Sequence, residues 1–331
     1  MYHLKSMPEK TALITGGLGF IGGNIAQKLV PLGVKVTIYD ACLDPYGWNF
    51  ANIREIKDKV EFVKGDTRDF ELLKKHVVGK EFIFDCAAQV SHTLSIKDPF
   101  LDVDINCRGA LNVLEAVRQR NDKAKIIYAG TRGELGRLEK TPADEMHPTN
   151  PVDMNGINKL AAEKYNLLYY RLYGIKTTSL RINNTYGPRG QMKHDDYGIV
   201  NWFVRQALLG EEIVIHGEGQ QTRDFNYVED VVDAMVLAAQ SDKSNGEFFL
   251  LGSGRETKFI DMLQLIIKTT GSPSTIRKIP RPKERESIEI GNFLVSFDKI
   301  KRTLGWRPAT SLEEGIERTV GFYRQRLQEY L

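Results

Sequence analysis

The chain of 331 residues is 41% hydrophobic and 27% charged, with a net charge of +3, enough for one large or two small domains. No Lys/Arg run exceeds two residues, which leaves a nucleic-acid partner without electrostatic support. The apolar runs fall far short of the roughly 18–20 residues of a membrane span, and the start, MYHLKSMPEK, lacks the apolar stretch of a secretory signal. Three scattered cysteines, Cys42, Cys86 and Cys107, suggest a reducing, cytoplasmic setting, and without CxxC or HExxH no metal site is expected.

In chain order, short β-branched runs alternate with amphipathic segments. TALIT (11–15), VKVTIY (34–39), VEFV (60–63), EFIF (81–84), KIIYA (125–129) and KTTSLRI (176–182) predict buried strands, with helices near 20–31, 69–77, 99–120 and 153–173. That alternation predicts right-handed βαβ units and an α/β fold, a Rossmann-type doubly wound parallel sheet covered on both faces. In the last of these helices Ile157, Leu160, Ala161, Tyr165 and Leu168 make one apolar stripe, and Lys159 stands off it, one turn after Asn155. From 183 to 198 the period dissolves into turn formers, and long loops inside compact enzymes are often functional. A helix (199–209), a short strand (213–215), a turn-rich stretch (216–226), a helix (229–240), the strand EFFLL (247–251) and helices near 257–270 and 312–329 follow. The expected division is a dinucleotide-binding domain over 1–182 plus 227–251, and a smaller C-terminal α/β substrate-binding domain from 183–226 and 252–331.

TALITGGLGFIGGNIAQKLV (11–30) reads as strand, glycine turn and helix, with Gly16, Gly19 and Gly22 in GxxGxxG spacing. Such a turn needs positive φ and a backbone that can approach a pyrophosphate with no Cβ in the way. The helix after it aims free N–H groups at the phosphates. Asp40 closes the next strand, where a carboxylate can accept both ribose hydroxyls of an adenosine and repel a 2′-phosphate, so NAD is favoured over NADP. Asp66, after the third strand, can accept from the adenine amino group, while Asp69 reads as an N-cap. Ala87 and Ala88, after the fourth, are small where a cofactor would cross the strand ends, although close packing accounts for them equally well.

With these pieces placed, the chain resembles the extended short-chain dehydrogenase/reductase family, in its nucleotide-sugar epimerase/dehydratase branch. The resemblance rests on ordered blocks: TGGLGFIGG (15–23), GDTRD (65–69), AAQVS (87–91), NCRGALNVLEAV (106–117), NKLAAEKY (158–165), LRINNTYGPRG (180–190), GEGQQTRDFNYVEDVVDA (217–234) and LGWRP (304–308). It implies that Gly16, Gly19, Phe20 and Ile21 line the pyrophosphate, that Asp66 and Thr67 hold the adenine, and that Ala87, Ala88, Gln89 and Asn106 belong to the cofactor site. It further implies that Thr131 holds the sugar hydroxyl to be oxidised, that Lys159 bridges the nicotinamide ribose, and that Asn184 and Arg223 bind the diphosphate of the nucleotide sugar. Arg285 would lie near the base or its ribose. A homodimer through helices 99–120 and 153–173 is implied in the same way.

Two departures from the family stand out. The family carries Tyr-x-x-x-Lys, the tyrosine acting as acid/base; here Asn155 occupies its place in the catalytic trio with Thr131 and Lys159, and Asn cannot titrate. Lys159 is the preferred substitute, with His92, Glu134 or a water held by Asn155 and Thr131 as alternatives. Family dehydratases and decarboxylases also carry an acid within two positions after the Thr, where this chain has Arg132 and Gly133, with Glu134 one later. That favours epimerisation at C4 of a UDP-, GDP-, CDP- or dTDP-sugar. Dehydratase, decarboxylase or 4-dehydrogenase chemistry, and a non-catalytic NAD- and sugar-nucleotide-binding protein, are the alternatives.

Overall fold

The structure, a computed structural model, describes residues 4–283, 286 and 288–331. Six strands, β1 (Thr11–Thr15), β2 (Lys35–Asp40), β3 (Val60–Lys64), β4 (Phe82–Asp85), β5 (Lys125–Thr131) and β6 (Lys176–Ile182), join Glu247–Leu251 in one seven-stranded sheet. All neighbours are parallel, in the order Glu247–Leu251, β6, β5, β4, β1, β2, β3. Strand order reverses between β1 and β4, which opens a crevice at their carboxyl ends. Leu13, Ile14, Ile38, Ile83, Phe84, Ile126 and Ile127 are fully buried because helices cover both faces.

The first helices are α1 (Phe20–Leu29), α2 (Phe70–His76), α3 (His92–Lys97), α4 (Pro99–Asp102), α5 (Gly109–Arg120) and α6 (Met154–Tyr173). The single helix expected over 99–120 is interrupted by π-type turns at Val103–Arg108. The β2–β3 crossover, where the pattern predicts no element, is a 3-10 helix, Phe50–Lys59. Within the expected loop 183–198, Asn184–Tyr186 pairs in parallel with Phe225–Tyr227.

A second core gathers Phe203, Ile213, Leu263, Ile316 and Tyr323 from helices Ile199–Leu209, Phe259–Thr270 and Leu312–Arg326 and from the strand Ile213–His216. One part of the C-terminal segment belongs elsewhere. Ile300 and Trp306 pack into the core of the Rossmann sheet, and Trp306 Nε1 donates to the Asp230 carbonyl at 2.8 Å.

Helix α6 inverts the usual amphipathic arrangement. Ile157 and Leu168 of its apolar stripe are exposed, whereas Asn155, Asn158, Lys159, Glu163 and Asn166 are buried. Polar groups tolerate burial only with partners, and each of these has one, as follows below for most of them. Among the described residues no helix is long and apolar enough to cross a membrane.

Candidate active site

The crevice holds a cavity of about 550 Å³ lined by the glycine turn, the ends of β2 to β5 and the start of α6. Gly16 has φ +62°, and a Cβ there would lie 2.9 Å from the Ala87 backbone. A Cβ on Gly22 would lie 2.4 Å from the Gly16 carbonyl, so α1 can seat on its own turn only with glycine there. Phe20, Ile21, Gly19 and Ala88 line the same wall. Asp40 accepts from Leu18 N at 3.0 Å and Cys42 N at 2.9 Å, and burial pushes its carboxyl above the usual range. Its carboxylate therefore shapes the glycine turn as well as facing the cavity.

Asp66 is gripped by Arg68, with Nε 3.0 Å from Oδ1 and Nη2 2.6 Å from Oδ2. Burial alone would raise its carboxyl, but the Arg68 hydrogen bonds outweigh that and hold it below its ordinary value. Arg68 thus occupies part of the acceptor capacity of Asp66. Thr67 lies beside it on the cavity wall and packs against Gly109.

Gln89 lines the cavity, whereas Asn106 needs correction as a cofactor ligand. Asn106 does not line the cavity; its amide accepts from Gln89 N at 3.1 Å and donates to the Gln89 carbonyl at 2.8 Å, bracing the loop after β4. The Gln89 carboxamide is buried and donates to Ser91 O and to Asp102.

At the other end of the crevice stand Thr131, Asn155, Lys159 and His92. The Thr131 hydroxyl caps the next turn by accepting from Gly133 N at 3.2 Å, leaving its proton free to donate. Lys159 Nζ donates to the Ala129 carbonyl at 2.6 Å and sits 4.2 Å from the centre of the Tyr128 ring. Burial lowers its pKa, and nearby Asp85 opposes that shift. Asp85, itself bonded by the Thr15 hydroxyl at 2.7 Å, is pushed up to about 6 by burial.

Asn155 is turned to a scaffold task. Its Nδ2 donates to the Gln89 carbonyl at 2.7 Å and lies 3.4 Å from Asp102, a fully buried carboxylate that also accepts from Gln89 and from Asn158 Nδ2 at 2.7 Å. Three amides thus satisfy one buried acid, which gives the Asn in this position a structural reason.

Glu134 faces away from the sugar end and is absent from the cavity wall. Its Oε1 accepts from Thr131 N at 2.8 Å and its Oε2 from Arg181 Nε at 3.0 Å, and Arg181 also grips Glu163 at 2.7 Å, all three being fully buried. Burial and the Glu163 charge push the Glu134 carboxyl far above its ordinary range.

His92 begins α3 and donates Nδ1–H to Asp153 Oδ2 at 2.6 Å. Asp153 caps α6 by accepting from Gly156 N at 2.8 Å. Burial would raise its carboxyl, but the His92 hydrogen bond and charge hold it low. Among the described residues the other ring nitrogen has no hydrogen-bond partner. His92 Cε1 and Thr131 Oγ1 both lie 3.6 Å from the same point beside Gly133. The ring also borders a second cavity of about 270 Å³ that runs toward Arg223 and Arg281.

Asn184 lines both cavities with its side-chain oxygen buried and unpaired. Arg223 reaches only the second, and its guanidinium is engaged by Glu289 at 2.7 Å and by the Thr222 and Gly291 carbonyls. Arg285 lies outside the described residues. Arg132, Arg68, Asp102 and Asp153 were not singled out from sequence; only Asp153, just before α6, carries a local signal, that of an N-cap.

A doubly wound parallel sheet with a glycine turn at its switch point, followed by Thr131 on β5 and Lys159 on the next helix, defines an extended short-chain dehydrogenase/reductase. The family model for GDP-mannose 4,6 dehydratase matches residues 13–319. A putative UDP-glucose 4-epimerase from Methanocaldococcus jannaschii is 35% identical over 94% of this chain and 98% of its own length. The crystal structure of UDP-glucose 4-epimerase with UDP-glucose from Thermotoga maritima superposes with a TM-score of 0.88 at 32% identity, covering 96% of this chain and 99% of that one. That of the Thermus thermophilus UDP-glucose 4-epimerase complex with NAD gives 0.85 at 30%, covering 96% and 99%. The chain belongs to the NAD-dependent nucleotide-sugar epimerase, dehydratase and decarboxylase family.

Proposed function

We propose that the protein is a nucleotide-sugar epimerase acting at C4 of the hexose with bound NAD. The observation that carries epimerisation over dehydration or decarboxylation is the burial of Glu134 against Arg181, Glu163 and the Thr131 backbone. A carboxyl that moves a proton at C5 has to face the sugar, and this one faces the sheet. The glycine turn, Asp40, Thr67 and the Ala87–Ala88 loop fit a dinucleotide, since a Cβ at Gly16 would strike the backbone at Ala87. NAD supplies acceptance and return of hydride at C4.

The chain's own residues manage the hydroxyl. Thr131 holds the O4 oxygen, and Lys159 lends its nearby charge. His92 takes the O4 proton on the ring nitrogen that Asp153 leaves free and returns it when C4 is reduced from the opposite face. Of the four candidate acid/base groups, it alone lines the cavity with a titratable atom not already bonded to protein. Incubation with UDP-, GDP-, CDP- and dTDP-hexoses, followed by NMR, is expected to give a C4 epimer. Unchanged sugars in the presence of bound NAD would refute the reading, and a 4-keto product would replace it with dehydratase or dehydrogenase chemistry.

We also infer a homodimer through the face formed by α4 and α6, where Phe100, Val103, Ile157, Leu168 and Leu172 are exposed. Light scattering is expected to give twice the chain mass, and Leu172→Glu with Ile157→Glu to give the monomer.

A further inference from the structure

We infer that Arg132 is the receptor for a carboxylate carried on the hexose, so that the substrate is a nucleoside diphosphate hexuronate. This rests on the nucleotide-sugar reading above and narrows it.

Arg132 directly follows Thr131 and lines both the crevice and the second cavity, at the junction where His92 and Asn184 also stand. Among the described residues its guanidinium makes no hydrogen bond and no ion pair; it lies 5.1 Å from the centre of the Phe293 ring. The other arginines of the second cavity are paired with one carboxylate. Arg223 and Arg281 share Glu289, at 2.7 and 3.1 Å.

The carboxylates nearest in charge to Arg132 are likewise engaged. Besides Glu289, Asp153 is held by His92 and Gly156 N, and Asp224 accepts from Ser253 N at 2.7 Å and from Val295 N at 3.4 Å. Asp195 and Asp196 line the same space, and Asp196 accepts from the Thr93 hydroxyl at 3.0 Å. Burial, and then the charge of Arg223, bring the Arg132 pKa down to about 9, against the opposing charges of Glu289, Asp153 and Asp224. Such a group is costly unless an anion completes it.

The position selects the anion. The neighbouring Thr131 addresses the sugar ring, and a planar guanidinium with its fork open suits a planar carboxylate through two parallel hydrogen bonds. The β-phosphate is the other oxyanion within the same ligand, and the experiment separates the two.

Binding of UDP-glucuronate, UDP-galacturonate, UDP-glucose, GDP-mannuronate, GDP-mannose and the parent diphosphates is measured by calorimetry on the NAD-loaded enzyme, so turnover is not needed. For the base that the enzyme accepts, the uronate is expected to bind about 10–100-fold more tightly than its neutral counterpart, as a charge-assisted pair predicts. Arg132→Gln is expected to erase that preference, Arg132→Lys to restore part of it, and neither to lower the melting temperature by more than the loss of the Phe293 ring contact, since no hydrogen bond or ion pair is lost. Equal affinity for uronate and neutral sugar in the parent enzyme overturns the inference and leaves the epimerase reading standing. An equal loss for both sugars and for the bare diphosphate in Arg132→Gln assigns the residue to the phosphate and also overturns it. If no nucleotide sugar binds, the proposed function fails, and this inference with it.

Discussion

The two ends of the crevice are built by different means. At the cofactor end the backbone provides the shape, through Gly16 and Gly22, and the charged side chains are closed upon the protein, Asp40 on Leu18 and Cys42, Asp66 on Arg68. At the sugar end, side chains keep open valences: one ring nitrogen of His92, the fork of Arg132, the amide oxygen of Asn184. Beside and behind them the amide nitrogens of Asn155, Gln89 and Asn158 and both oxygens of Glu134 are bonded to protein. At the sugar end, an open polar atom on the cavity wall marks a ligand contact.

That contrast breaks if scaffold and contact residues respond alike. The largest effect is expected from Arg181→Leu, which strands Glu163 as a buried charge beside Glu134 and should cost about 3–5 kcal/mol of stability in denaturant unfolding. His92→Gln should leave folding and NAD binding intact and lower kcat by about 10²- to 10⁴-fold, the usual worth of general acid–base help. Retention of full kcat would return the proton to Lys159.

A third measurement concerns the floor of the crevice. Asp85 has its folded pKa raised to about 6. An acid of this kind binds its proton more tightly when folded, so it takes stability away as pH rises from about 4 through about 6, by at most roughly 3 kcal/mol. In Asp85→Asn the stability profile over that window is expected to flatten. The smallest effect is expected from Asp153→Asn, which keeps the cap on α6 and removes the charge facing His92. A loss of about 10-fold in kcat is expected, with thermal stability changed by under about 1 kcal/mol.

The parallel sheet, its strands and the glycine turn were legible in sequence because they depend on local properties: β-branched runs, helical period and tolerance of positive φ. Apolar period misleads at α6, where Ile157 and Leu168 of the stripe are exposed and polar residues take the buried positions. Arg223 shows a second limit, since its type announces anion binding but not its pairing with Glu289.

By itself, then, the sequence determined the class of fold, the crevice at the strand ends and the absence of a titratable group at position 155. Tertiary structure decided which polar groups are spent. Asn155 meets Asp102 across 53 residues, His92 meets Asp153 across 61, and Glu134 meets Arg181 across 47. Hydrogen bonds and ion pairs are formed by whichever complementary groups the packed elements bring within about 3 Å, and a residue's type carries no record of that distant partner.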